Sequence, residues 1–186
     1  MFEKIISLEN LFSAWHEFRC GKQNRPDVQK FERNLEDNIF ILHEDLKNGN
    51  YYHGKYHCFH LFDPKHRVIH KAMVRDRLVH HAVYRVLLPI FEKGFIFDSY
   101  SCRVGKGTHA AVRRLQDFVC RVSKNYSSPC FALKFDIKKF FDSVDHEILL
   151  AVLKRKIADQ KTVGLLSEII GSFQAETPWG GGVRQG

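Results

Sequence analysis

The sequence predicts an α+β fold. Three observations carry that expectation: apolar residues recurring at helical spacing over several segments, an alternating segment followed by a turn and a second alternating segment, and a later alternating run that ends in an acid, Cys130 to Asp136. The chain has 186 residues, 44% of them apolar, enough for one core or for two sub-domains sharing one. Such a content excludes a disordered chain.

Leu8 to Cys20 reads as a short amphipathic helix closed by Gly21. Asp27, after Pro26, is placed to cap a longer helix. Its stripe is Val28, Phe31, Leu35, Ile39, Leu42 and Leu46, and Gly49 ends it. Tyr56 to Phe62 alternates as a half-buried strand should. Asp63-Pro64-Lys65-His66 is a turn sequence, and Arg67-Val68-Ile69 starts a returning strand, so a hairpin with a basic tip is expected. Val74 to Leu88 and Thr108 to Lys124 read as helices, the latter with Ala111, Leu115, Phe118 and Val122 on one face. Cys130 to Asp136 reads as a strand with Phe131, Leu133 and Phe135 facing a core. Asp145 can cap a helix through Ile157, a last helix ends near Phe173, and Thr177 to Gly186 is loop-like.

Charge is concentrated. Lys65 to Lys124 holds 13 Lys/Arg and 4 Asp/Glu, a balance of +9, while the remaining 16 basic and 17 acidic residues balance at −1. Such a block fits a polyanionic partner, because each neutralised phosphate releases condensed counterions. A well-solvated surface is the other reading. No apolar run approaches the ~20 residues of a membrane helix, and Met1 to Asn10 lacks the apolar core of a secretory signal. Cys20, Cys58, Cys102, Cys120 and Cys130 are scattered, which predicts reduced, buried thiols in a cytoplasmic protein.

Phe135-Asp136-Ile137-Lys138-Lys139-Phe140-Phe141 holds the chemistry. A carboxylate at a strand end, open to solvent, suits a hard cation such as Mg²⁺. Asp136 capping the next turn is the plainer alternative. His53, His57, Cys58 and His60 are a poor zinc set, since His57 and His60 fall on opposite faces of a strand.

Phe135 to His146 resembles motif A of reverse transcriptases, especially the bacterial group around group II introns and diversity-generating retroelements. Asp63-Pro64-Lys65, Arg67-Val68-Ile69, Arg75 to Ala82 and Pro89-Ile90-Phe91-Glu92 resemble the fingers motifs of that group, and Ser99 to His109 the block that follows. They stand in the family's order and cover roughly Tyr56 to Gly186.

The resemblance implies a right-hand polymerase's fingers and partial palm: an N-terminal helical segment over 1–55, fingers over 56–125, and the start of the palm over 126–186. It implies RNA-directed DNA synthesis, with an RNA template, a DNA primer and dNTPs as partners, a structured cognate RNA as a further one, and two Mg²⁺ (or Mn²⁺) ions. Asp136 would be the catalytic, metal-binding aspartate, and the Ile137 carbonyl would face the same metals. Lys65 and Arg67 would grip the triphosphate, as a point charge and a planar fork suit phosphate oxygens. Phe141 would be the steric gate against a 2′-hydroxyl, with one of Phe140 and Phe141 in the core. Arg75, Arg77, Arg103 and Lys106 would meet nucleic acid, an ion pair through Asp76 being the alternative for the first two.

The family's second pair of aspartates is adjacent, and no Asp-Asp occurs in these 186 residues. The resemblance thus implies an N-terminal portion whose remaining aspartates lie beyond Gly186, inactive by itself. Gln185-Gly186 reaches the approach to motif B, but Arg184 stands where many relatives have proline. The rival readings are a non-catalytic module binding RNA or RNA–DNA hybrid, and a metal nuclease built on Asp136, Asp142 and Asp145.

Overall fold

A computed structural model describes residues 1–138 and 140–173, without the side chain of Asp142. The tail that carries Arg184 and Gln185-Gly186 lies outside the described residues, as does Lys139. The chain is helix-rich with one two-stranded antiparallel sheet, an α+β composition. The described residues divide into one unit of residues 1–90 and 141–173 and a second of the described residues between 91 and 140.

The first unit opens with α1 (Phe2–Ile6) and α2 (Leu8–Arg19). Ser7 separates them and caps α2 by accepting from the Asn10 N–H at 3.2 Å. Gly21, at φ +70°, takes the left-handed conformation just past the end of α2 that glycine adopts most cheaply. The single long helix expected from Asp27 onward is two: α3 (Pro26–Glu32) and α4 (Leu35–Lys47). The break at Arg33–Asn34 leaves Val28 buried on α3 and Ile39, Leu42 and Leu46 buried on α4. It is braced by Asn38 Nδ2 donating to the Phe31 carbonyl at 2.8 Å. Asp27 does not cap α3; Arg25 holds that position, and the Asp27 carboxylate is taken by Lys71 and Arg77.

The core of this unit gathers Ile5, Ile6, Leu11, Trp15, Ile39 and Leu42 with Leu78 and Val79 of α5 (Val74–Glu92). Buried Asn10 on α2 ties the layers together, since its Nδ2 donates to the carbonyls of Ile5 and Ala82. Later in the chain α7 (His146–Lys154) is capped by Asp145, whose Oδ1 accepts from the Ile148 N–H at 2.9 Å, as its position predicts. The helix stops three residues short of Ile157. Next, α8 (Gln160–Gly171) is capped by Asp159, which also accepts from the Phe2 N–H, so one carboxylate fastens two distant helix starts.

In the second unit α6 (Thr108–Val122) has no buried residue, and Leu115 and Val122 of its apolar stripe are more than half exposed. The strand expected at Cys130 to Asp136 is absent. Those residues form no ladder, and Phe131, Leu133 and Phe135 are 95%, 86% and 82% exposed. A strand exists only with a hydrogen-bonded neighbour, and among the described residues the only sheet is the hairpin of the other unit. The cysteines are thiols outside any disulfide, as expected, but not buried: four are exposed and Cys120 is half-buried.

Candidate nucleic-acid interface

The hairpin is β1 (His57–Phe62) and β2 (His66–Lys71), paired from His57 opposite Lys71 to Phe62 opposite His66. Asp63-Pro64-Lys65 forms the tip, where Pro64 fixes the backbone and offers no donor. Lys65 sits in that turn and Arg67 one residue into β2, opposite Leu61, both exposed. The half-burial expected of β1 does not occur: all six of its residues are exposed. The alternation is instead chemical. One face carries Cys58, His60, Phe62, His66, Val68 and His70; the other carries Phe59, Leu61, Arg67, Ile69 and Lys71 with His57. On the first face Cys58 Sγ lies 3.0 Å from His70 Nδ1, and His60 Nδ1 lies 2.7 Å from His66 Nε2. The ring of His66 stacks on those of His60 and Phe62.

Phe135 to Phe141 runs across the two units, Asp136 and Ile137 in the second and Phe141 at the boundary. Asp136 and Ile137 are exposed in irregular backbone, not at a strand end. Phe141 begins a 3₁₀ turn, Phe141–Ser143, and is 84% exposed; Phe140 is also exposed, so neither ring is core among these residues. No three His, Cys, Asp or Glu side chains gather at metal-binding distance among the described residues. Asp136 alone therefore does not make a two-metal centre.

Protein YkfC of Escherichia coli (strain K12) is 28% identical to the chain over 136 residues, 70% of this chain and 34% of that protein. The group II intron-encoded protein LtrA of Lactococcus lactis subsp. cremoris is 26% identical over 141 residues, 74% of this chain and 22% of that protein. Nuclear intron maturase 1, mitochondrial, of Arabidopsis thaliana is 27% identical over 96 residues, 52% of this chain and 12% of that protein. The chain is a homologue of group II intron-encoded proteins and intron maturases. That homology bears out the resemblance read from the motifs. No family model matches the chain. It spans about a third or less of the length of these relatives.

The remaining basic candidates of this intron-maturase homologue are held by protein partners. Arg75 Nη2 pairs with Asp45 at 2.8 Å, and its guanidinium lies 4.8 Å from the Tyr51 ring centroid. The contact with Asp76 is longer, 3.6 Å. Arg77 pairs with Asp27 and covers the Phe18 ring. In the second unit Arg103 closes the loop after α5, its Nε donating to Glu92 at 2.8 Å and its Nη1 to the Ile96 and Ser99 carbonyls. Lys106 donates to the Phe97 carbonyl and sits over the Phe97 ring. Gly105, at φ +73°, makes this turn in the left-handed region.

A buried group went unread in the sequence. Asp76 is 1% exposed and accepts from the Tyr51 hydroxyl at 3.0 Å and the Gly54 N–H at 3.1 Å. Burial and the Asp76 charge hold the Tyr51 hydroxyl far above its usual range, so it remains a donor. Beside it His53 Nδ1 donates to the Gly54 carbonyl, which leaves its Nε2 to accept from His80 Nε2–H at 3.2 Å. Burial first, and the neighbouring His53 second, push His80 down to about 4. Glu168 of α8 accepts from the His53 N–H at 2.8 Å, joining this group to the last helix. Charged residues next to a hairpin read as surface; only the contact partners 22 to 115 residues away reveal a core network.

Proposed function

We propose that the chain forms the fingers and the opening of the palm of an RNA-directed DNA polymerase related to group II intron-encoded proteins, with an RNA template, a DNA primer and dNTPs as its partners. The observation that carries this reading is the exposed hairpin with Lys65 and Arg67 at its tip, in a chain that is 26% identical to the intron-encoded protein LtrA over 74% of its length. Lys65 and Arg67 would contact the triphosphate. Asp136 and the Ile137 carbonyl would supply one side of a Mg²⁺ or Mn²⁺ site, and the Phe141 ring would crowd the 2′ position of the sugar. The described residues do not assemble the rest of a two-ion centre, so no catalytic step is derived from them.

The same observations support a second reading, a module that binds RNA or hybrid duplex without catalysis. It rests on the basic block of +9, which serves binding with or without catalysis. Both readings require nucleic-acid binding. Titrating the chain with hairpin RNA and with RNA–DNA hybrid at several salt concentrations tests them. Binding that weakens steeply with salt is the expected result; no binding at low salt would remove both.

A further inference from the structure

At the foot of the hairpin, within the first unit, lies a cleft of about 710 Å³, a size typical of small-ligand sites. It is walled by α3, the start of α4, the last residue of β2 and the first turn of α5. The geometry points to a nucleoside-phosphate pocket here, which takes an unstacked nucleotide of a single-stranded RNA. This rests on the RNA-binding reading above but not on Lys65, Arg67 or Asp136.

The electrostatic argument begins with what is already matched. Asp27 is a carboxylate on the cleft wall. Burial opposes its ionisation, but hydrogen bonds and charge from Lys71, then Arg77, outweigh burial and hold its carboxyl below the usual range. Two cations on one carboxylate leave one positive charge over. Arg75 is matched by Asp45. Lys30 and Arg33 are exposed and form no ion pair among the described residues, although both line the cleft. On the wall itself Lys71 is matched by Asp27, so the surplus positive charge stands at Lys30 and Arg33, which suits the phosphates of a strand.

The rest of the lining fits a base. Phe31 is a half-buried ring on the wall, fixed against Trp15 with ring centroids 5.2 Å apart. Rings so held serve as stacking platforms for unpaired bases. The Asn38 amide is oriented by its bond to the Phe31 carbonyl, so its Oδ1 is left to accept from an exocyclic amine. A six-residue strand, roughly 20 Å, separates this foot from the tip, so the pocket is a contact distinct from Lys65.

The test is anisotropy of a labelled short single-stranded RNA with the chain, with Lys30→Gln/Arg33→Gln and with Lys65→Ala/Arg67→Ala. Neither Lys30 nor Arg33 is buried, so the first variant keeps its fold, which circular dichroism checks. It should weaken RNA at least about fivefold and shallow the slope of log K against log salt by about 1.4, the value for two lost phosphate contacts on a single strand. Photocrosslinking with 4-thiouridine RNA should mark 26–38 and 71–75. Unchanged affinity and slope in that variant, with crosslinks confined to 63–67, would overturn the pocket while leaving the proposed function in place. AMP competing as well as the RNA would overturn a strand as the occupant. No binding of RNA at low salt would overturn both.

Discussion

Asp76 shows how one residue can be read two ways. In sequence it lies between two arginines, and an ion pair, within the helix or tertiary, is the expectation. In the fold it accepts from Tyr51 and Gly54 and keeps an ion pair with Arg75 at 3.6 Å, while Arg75 and Arg77 also reach Asp45 and Asp27. Gly54 matters there for space: a Cβ on it would stand 2.9 Å from Asp76 Oδ2. Gly54→Ala should therefore destabilise the chain by about 1–3 kcal/mol, the range for overpacking a closed site. Chemical denaturation measures it, and an unchanged midpoint would show that the Asp76 carboxylate moves aside freely. His80, in the same group, gives a pH dependence. Its folded value, about 4, lies below the 6.5 of a free histidine. Between those values the unfolded chain binds a proton that the folded chain refuses, so stability is complete above pH 6.5 and falls as pH drops toward 4. The loss attributable to His80 is on the order of 2–3 kcal/mol. Burial lowers His81 as well, so part of the slope remains in a His80→Gln variant. Melting curves between pH 7 and pH 4.5 should be flatter for that variant; equal slopes would mean that His80 is protonated in the fold.

At the level of elements, the sequence was legible where local chemistry decides. Ser7 is an exception that proves short helices hard to see: α1 is five residues long and gave no periodicity to read. Asp145 before an apolar run, Gly21 after one, and Asp63-Pro64 between alternating segments each act through their own backbone neighbours, and each element they bound is present. The errors arose where a partner decides. Phe131, Leu133 and Phe135 alternate as a buried strand would, yet no neighbouring strand accepts them among the described residues. The α3–α4 break is invisible in a stripe that continues in phase across Arg33–Asn34, because the bend is fixed by the Asn38–Phe31 bond. The hairpin is the element on which the functional proposal turns. In a polymerase that contains this segment, Lys65→Ala and Arg67→Ala should mainly weaken dNTP binding, each lost charged contact being worth about 1.5–3 kcal/mol. Steady-state kinetics with dNTP varied would show it as a raised KM. Wild-type kinetics in both variants would separate the hairpin from the nucleotide.

For the molecule as a whole, binding and catalysis make different demands. Binding of nucleic acid needs only surplus positive charge on accessible surface, and the block from Lys65 to Lys124 carries +9. Two-metal chemistry needs carboxylates from more than one segment, placed to hold two ions about 4 Å apart. The 186 residues contain no Asp-Asp pair, and the described residues gather no metal-ligand cluster around exposed Asp136. A lone carboxylate with water for its other ligands holds Mg²⁺ weakly and in no fixed geometry. The exposed rings of Phe131 and Phe135 and the apolar stripe of α6 also leave surface that favours self-association in the second unit. These 186 residues alone are therefore expected to bind RNA or hybrid duplex in a salt-sensitive way, to associate at high concentration, and not to extend a primer. Primer extension on an RNA template, with Asp136→Ala as the control for contaminating polymerase, decides the point. Extension by the wild-type chain that the Asp136→Ala chain lacks would overturn the argument, since it would require a working metal centre assembled by these residues.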